Sequence, residues 1–163
     1  MTLKDQLNAD LRDAMRAGDR TRTSTLRLLI TAVRNAEIPP EGAAAEEPAR
    51  RDLDDEGVAN VIRREVKQRR DSMDAYTKAS RPDLVALEEA EMQVLARYLP
   101  AQMTAAEIEA AARAVIDRVG AHGTADKAKV MPLIMEELRG KADGRDINAA
   151  VTRLLTDLQS GPG

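Results

Sequence analysis

Apolar side chains recur every three or four residues along almost the whole of this chain, and nowhere do they alternate over the length of a strand. Leu3, Leu7, Leu11, Ala14 and Met15 make one such stripe; Leu26, Leu29, Ile30, Val33 and Ala36 make the next. Val58, Ile62, Val66, Met73 and Tyr76 form a third, and Leu84, Leu87, Leu95 and Tyr98 a fourth. Beyond Pro100 come Ile108, Ala112, Val115, Ile116 and Val119, then Val130, Leu133, Ile134 and Leu138, then Ile147, Val151, Leu154, Leu155 and Leu158. That spacing lines up side chains on one face of an α-helix. The side chains available agree with it. There is no Phe and no Trp, Tyr76 and Tyr98 are the only aromatics, and the apolar residues are Ala, Leu, Val, Ile and Met among many Glu, Lys and Arg. Such residues favour helix over sheet. The expected fold class is all-α.

Punctuation divides the chain. Thr2 can cap the first helix and Gly18 can end it, Asp19 can cap the second, and Pro39-Pro40 must stop it. "PPEGAAAEEPARRD" has no usable period and is rich in Pro, Gly, Ala and acid. It is expected to be an exposed, mobile acidic loop over about 39–51. A long helix is expected to start near Asp52 to Asp55 and run toward Ala79. Ser80 is the expected cap of its successor, with Pro82 in the first turn, and Pro100 closes that helix. Thr104 and Glu107 form a capping-box pattern, Gly120 and Gly140 end helices, "AHGTAD" reads as a turn, and Asp143 can cap the last helix. The expected organisation is an N-terminal helical bundle over 1–99 and a small C-terminal three-helix domain over 100–163.

Several functions are excluded early. With no cysteine, disulfides, thiolate nucleophiles and cysteine-bearing metal sites are out. No apolar run approaches the ~20 residues of a membrane span, and "MTLKDQLNADL" lacks the apolar core of a signal peptide. The expected compartment is the cytoplasm. The only histidine, His122, sits in "GAHGT" without a neighbouring nucleophile, so no histidine-based triad is visible. "GKADG" has the wrong spacing for a phosphate loop, and no Glu-x-x-His pairs offer a di-metal site. No cofactor and no metal are expected, and catalysis by this chain alone is not expected.

The chain is acidic overall, with a formal net charge of -3, yet "RREVKQRR" crowds five cations into one stretch. At about 100° per residue, Arg63, Lys67 and Arg70 form an outward ridge, while Arg69 falls amid Ile62, Val66 and Met73 on the apolar face. Glu91 falls in the same way among the apolar residues of the next helix. The two lie at similar distances from the turn near Ser80. Arg69 is therefore expected to turn inward and pair with Glu91, or with Glu88 one turn away. The ridge Arg63, Lys67 and Arg70 is a possible partner surface, or simply a solvated face. A second cationic region is "RGKADGR", where Asp143 and Gly144 open a helix whose free N–H groups favour anions. Arg139, Lys141 and Arg145 flank that start, and Lys127 and Lys129 begin the preceding helix.

Three longer stretches carry a resemblance. "VIRREVKQRRDSMDAYTKASRPDLVALEEAEMQVLARYLPAQMT" resembles the central signature of the GatB/YqeY family, in its free-standing YqeY-like form. "LKDQLNADLRDAMRAGDRTRTSTLRLLITAVRNAEI" is similar to the start of such proteins, and "KVM" with "LRGKADGRDINAAVTRLL" to their C-terminal part. The resemblance implies an N-terminal helical bundle and a C-terminal domain similar to the tail of the B subunit of aspartyl/glutamyl-tRNA amidotransferase, a tail associated with holding tRNA. It implies tRNA-facing positions at Lys127, Lys129, Arg139, Lys141 and Arg145. Ala128 stands where the family pattern has Gly, Pro132 follows "KVM" where a small residue is expected, and the acidic loop is longer than the family norm.

Three functions follow as expectations. The first is a tRNA-binding accessory protein of tRNA-dependent amidation or glutaminylation, with no catalysis of its own and with an aminoacyl-tRNA synthetase or amidotransferase as a possible partner. The second is an amidotransferase-like component with carbon–nitrogen ligase activity and glutamine as amido donor. The third is a protein–protein adaptor. The scarcity of aromatics favours recognition of folded RNA by shape and backbone over stacking on single strands.

Overall fold

The computed structural model describes residues 1–42 and 50–161. Among them are seven α-helices, one short 3-10 turn and no strand. The chain divides into two compact units, Met1–Leu99 and Pro100–Gly163. The central part of the expected acidic loop, 43–49, lies outside the described residues.

In the first unit, α1 (Leu3–Ala17) opens on a full capping box in which Thr2 and Asp5 satisfy each other's backbone N–H, and closes at Gly18, whose φ is 68°. Asp19 accepts from the Arg22 N–H to start α2 (Arg20–Ala36). Asp54 does the same for the Gly57 N–H at the head of α3 (Asp55–Lys78), and α4 is Pro82–Ala96. Helix α2 packs against each of the other three. Leu7, Ala14, Leu26, Leu29, Val33, Val58, Val61, Ile62 and Leu95 make the core, with Tyr98 and Leu99 packed on its margin.

Ser80 does not cap α4. It adopts φ 55° and occupies the left-handed position that ends α3, where the Arg81 N–H reaches back to the Tyr76 carbonyl at 2.9 Å and the Ser80 N–H to that of Thr77 at 3.1 Å. That is a Schellman closure with serine in the usual glycine position. A connection this short cannot give one residue both to the end of α3 and to the start of α4. Helix α4 starts at Arg81 without a side-chain cap, leaning instead on Pro82 in its first turn. Three residues of the expected stripes also face outward: Leu87 is 60% exposed, Met15 is 52% exposed, and Ala36 at the end of α2 is exposed as well.

In the second unit, Thr104 and Glu107 form the capping box of α5 (Ala105–Val119), which Gly120 closes at φ 67°. The "AHGTAD" turn contains the 3-10 segment Thr124–Asp126, which leads into α6 (Lys127–Glu137). Pro132 sits within α6, which nevertheless starts at Lys127. Asp143 accepts from the Arg145 N–H and caps α7 (Gly144–Gln159). The core holds Ile108, Ala112, Val115, Ile116, Val130, Ile134, Leu138, Ile147, Val151, Leu154 and Leu155. Leu133 and Leu158, expected inside, are 43% and 51% exposed. The repeat spacing is right for both, but neither lies on the side that a neighbouring helix covers. Among the described residues, no helix is long and apolar enough to cross a membrane.

Candidate nucleic-acid interface

The cations of the second unit fall into two groups because α6 and α7 run in opposite directions. Lys127 and Lys129 stand at the head of α6, beside the tail of α7, where the Thr124 hydroxyl donates to Gln159 Oε1 at 2.8 Å. Arg139 and Lys141 follow the end of α6, and Arg145 lies in the first turn of α7. Lys129 and Arg139, the nearest members of the two groups along the chain, are ten positions apart, about 15 Å at 1.5 Å per residue. The single phosphate-gripping corner expected from the sequence is thus two ends of one helix.

At the first end, Lys129 reaches Asp126 at 3.2 Å. The His122 backbone N–H, and then Lys129, hold the Asp126 carboxyl below the usual carboxylate range. His122 is exposed, and its hydrogen bond there comes from the backbone. At the second end, Arg139 pairs with Glu136 at 2.8 Å. The Lys141 backbone is pinned on both sides: its N–H donates to the Leu138 carbonyl at 2.9 Å, and its carbonyl accepts from the Met103 N–H at 2.9 Å. Its side chain is exposed and forms no ion pair among the described residues. Arg145, Asp143 and Asp146 are each engaged by partners within the chain. Gly144 lies close under Met135, whose Cε would sit 3.3 Å from any added Cβ. A shallow cleft of about 290 Å³ opens beside Arg139, between Pro132, Met135, Leu138 and Ala142.

The first unit separates the cations of "RREVKQRR" more sharply. Arg69 is buried, with 8% of its side chain exposed. Its Nε donates to Glu91 at 3.1 Å, and its Nη1 donates to the Glu65 carboxylate at 2.9 Å and to the Glu65 carbonyl at 3.1 Å. Glu65 was not anticipated, although its position one helical turn before Arg69 is a readable signal. Glu88 stays nearby without a direct bond to Arg69; burial, and then the charge of Glu91, push its carboxyl up. These residues line an open cleft of about 390 Å³ that also includes Gln68 and Ser72. Along the outward ridge, Arg63 donates to Glu56 at 2.9 Å and to Asn60 at 2.6 Å, and Arg70 is also partnered. Lys67 alone of the three projects without an ion pair among the described residues. The ridge is therefore largely neutralised within the protein.

One further polar link escaped the sequence altogether. Tyr98 donates to Asp10 at 2.5 Å, and Arg22 lies 3.6 Å from the same carboxylate. Among the described residues, no three histidine, aspartate or glutamate side chains are placed to hold a metal ion.

A family model described as Yqey-like protein matches residues 4–155. The "Altered inheritance of mitochondria protein 41, mitochondrial" of Eremothecium gossypii is 37% identical over 108 residues, 66% of this chain and 55% of that protein. Its namesake in Lachancea thermotolerans is 34% identical over 103 residues, 63% of this chain and 51% of that protein. The Saccharomyces cerevisiae protein of that name is 28% identical over the same coverage. The chain spans about half the length of these curated relatives.

Proposed function

We propose that this chain, which belongs to the YqeY-like family, is a tRNA-binding accessory protein of tRNA-dependent amidation or glutaminylation, without catalysis of its own. The observation that carries the proposal is the set of exposed cations held on α6, on α7 and in the turn between them. Lys129, Arg139, Lys141 and Arg145 reach solvent, and Lys127 is half-buried at the head of α6. The pairs Lys129–Asp126 and Arg139–Glu136 each join side chains three positions apart, and both cations are exposed, at 70% and 79%. Such pairs contribute little stability, so their cations can exchange a carboxylate for a phosphate at small cost. Acids exceed Lys plus Arg by one over residues 100–163. Binding would then depend on local charge and be strongly salt-dependent. We keep the cytoplasm as the proposed compartment; the yeast relatives carry a mitochondrial name, and tRNA is charged in both places.

A titration of the full chain with a transcribed tRNA tests this. Affinity should fall steeply between roughly 50 and 200 mM salt, and Lys127→Ala, Lys141→Ala and Arg145→Ala together should weaken it about tenfold or more. Absence of binding at the low-salt end, or binding indifferent to salt, would sink the proposal. Glutamine hydrolysis by the purified chain would favour the ligase component instead, and a protein captured from lysate equally well after ribonuclease treatment would favour the adaptor.

A further inference from the structure

Helix α2 has an unusual composition for an acidic chain. Its seventeen residues, RTRTSTLRLLITAVRNA, include Arg20, Arg22, Arg27 and Arg34 and no Asp or Glu. Arg20, Arg27 and Arg34 are spaced seven apart. Seven residues come within about 20° of two full turns, so the three share one face, each about 10.5 Å beyond the last. All three are exposed, and none forms an ion pair among the described residues. Among the described residues, the only side-chain hydrogen bond of the row is Arg27 Nη2 to the Met15 sulfur at 3.7 Å. Arg22, in contrast, turns the other way, toward Asp10.

The surroundings of the row keep it positive. At its lower end, Arg20, Thr23, Ser24 and Arg27 border an open hollow beside Gly18 and Met15. At its upper end, Arg34 borders a cleft of about 360 Å³ floored by Leu7, Ile30 and Val33. Glu37 and Asp52 are the carboxylates of that cleft, and Lys4 binds both. Arg50 adds a second cation 3.7 Å from Glu37. Lys4, then the Leu53 N–H, and to a lesser extent Arg50, hold the Glu37 carboxyl below its usual range. The acids at this end are therefore already neutralised inside the protein. The neighbouring flank of α2 is different: there Leu28, Thr31 and Asn35 border the cleft that holds Glu65, Glu88 and Glu91. Over residues 1–99 acids exceed Lys plus Arg by two, so the positive flank is a segregated feature and not the character of the whole unit.

We propose that the flank of α2 carrying Arg20, Arg27 and Arg34 is a contact surface for the phosphodiester backbone of a folded RNA. Arginine and hydroxyl donors are the groups that bind phosphate oxygens, and among the described residues no carboxylate pairs with the three arginines. There is no aromatic residue in the row or its hollows, so the surface follows a backbone and does not stack bases. A membrane is a poorer fit, because a helix that lies on lipid exposes a continuous apolar face. The row contains no apolar residue, and Met15 is the exposed apolar side chain beside it. The RNA assignment rests on the tRNA reading above, but it concerns a different unit of the chain and stands or falls on its own variants.

The test compares three full-length proteins by titration with the same transcribed tRNA over a range of salt. The first is the unaltered chain. The second carries Arg20→Gln, Arg27→Gln and Arg34→Gln, exposed sites where glutamine keeps the helix. The third carries Arg64→Gln, Lys78→Gln and Arg81→Gln, an equal loss of charge elsewhere in the same unit. The α2 variant should bind about tenfold or more weakly, and the slope of log affinity on log salt should shrink by about 2, as for two or three lost phosphate contacts. The control should keep most of the affinity and all of the slope. Unchanged binding by a folded α2 variant overturns this inference and leaves the tRNA reading in place. Equal losses in both variants overturn it too, since net charge alone would explain them. Failure of the unaltered chain to bind removes both proposals. If vesicles of phosphatidylglycerol and phosphatidylcholine bind through the α2 arginines and tRNA does not, the surface belongs to lipid and the inference is wrong.

Discussion

Arg69→Met is expected to cost about 3–5 kcal/mol of stability near neutral pH, read from urea unfolding followed by helix circular dichroism. The guanidinium is nearly sealed from water and is bonded on one side by Glu91 and on the other by Glu65. Removing it leaves both carboxylates, with Glu88 close by, in a partly desolvated cleft without a counter-charge. Glu91→Leu should cost less, because Glu91 is 30% exposed and Glu65 still holds the arginine. The double variant should recover at least about 1 kcal/mol relative to the sum of the single losses. Strictly additive losses would mean that the two side chains do not act as a unit.

Tyr98→Phe is the second large expected loss, about 1.5–3 kcal/mol near neutral pH, in the range for a hydrogen bond to a charged acceptor. The hydroxyl closes a link from the segment after α4 to Asp10 on α1 and, through Asp10, to Arg22 on α2. Phenylalanine would fill the same space and leave the half-buried Asp10 with one donor fewer. Burial, and then Asp10, push the Tyr98 hydroxyl up to about 12 from an ordinary value of 10.0. A group whose folded value is raised contributes stability that is fully present below the unfolded value and is lost as pH rises through the folded one. The gap between the natural chain and Tyr98→Phe should therefore be constant up to about pH 10 and close toward about pH 12. Equal stability of the two proteins near neutral pH would show that the hydroxyl contributes nothing.

How much of this was legible depends on the range of each interaction. The helices and their caps are local: Thr2 with Asp5, and Thr104 with Glu107, are three residues apart, and the structure uses both as written. The closeness of Arg69 and Glu91 could be reached because a short turn fixes which residues of two neighbouring helices are level. Even there Ser80 departs from the expected cap, since a serine in a left-handed conformation gives the same letter as a serine cap. Periodicity gives a stripe but not the width of the neighbour that covers it, which is why Leu87, Leu133 and Leu158 face outward. Tyr98 and Asp10 are 88 positions apart, and nothing local links them. The α2 arginines are the converse case. Their seven-residue spacing is plain in the sequence, but its meaning required knowing that Arg22 is used inside and that the other three are not.

The opposed directions of α6 and α7 have a bearing on ligand size. An inorganic phosphate or a mononucleotide can occupy only one end of α6 at a time. On the tRNA reading proposed above, a polymer that touches Lys127 and Lys129 would bring its next phosphates within reach of Arg139, Lys141 and Arg145 at a high effective concentration, and avidity would multiply two weak affinities. Monomeric phosphates should accordingly compete poorly for this unit even in large molar excess over a polynucleotide, and a competition titration would measure the difference directly.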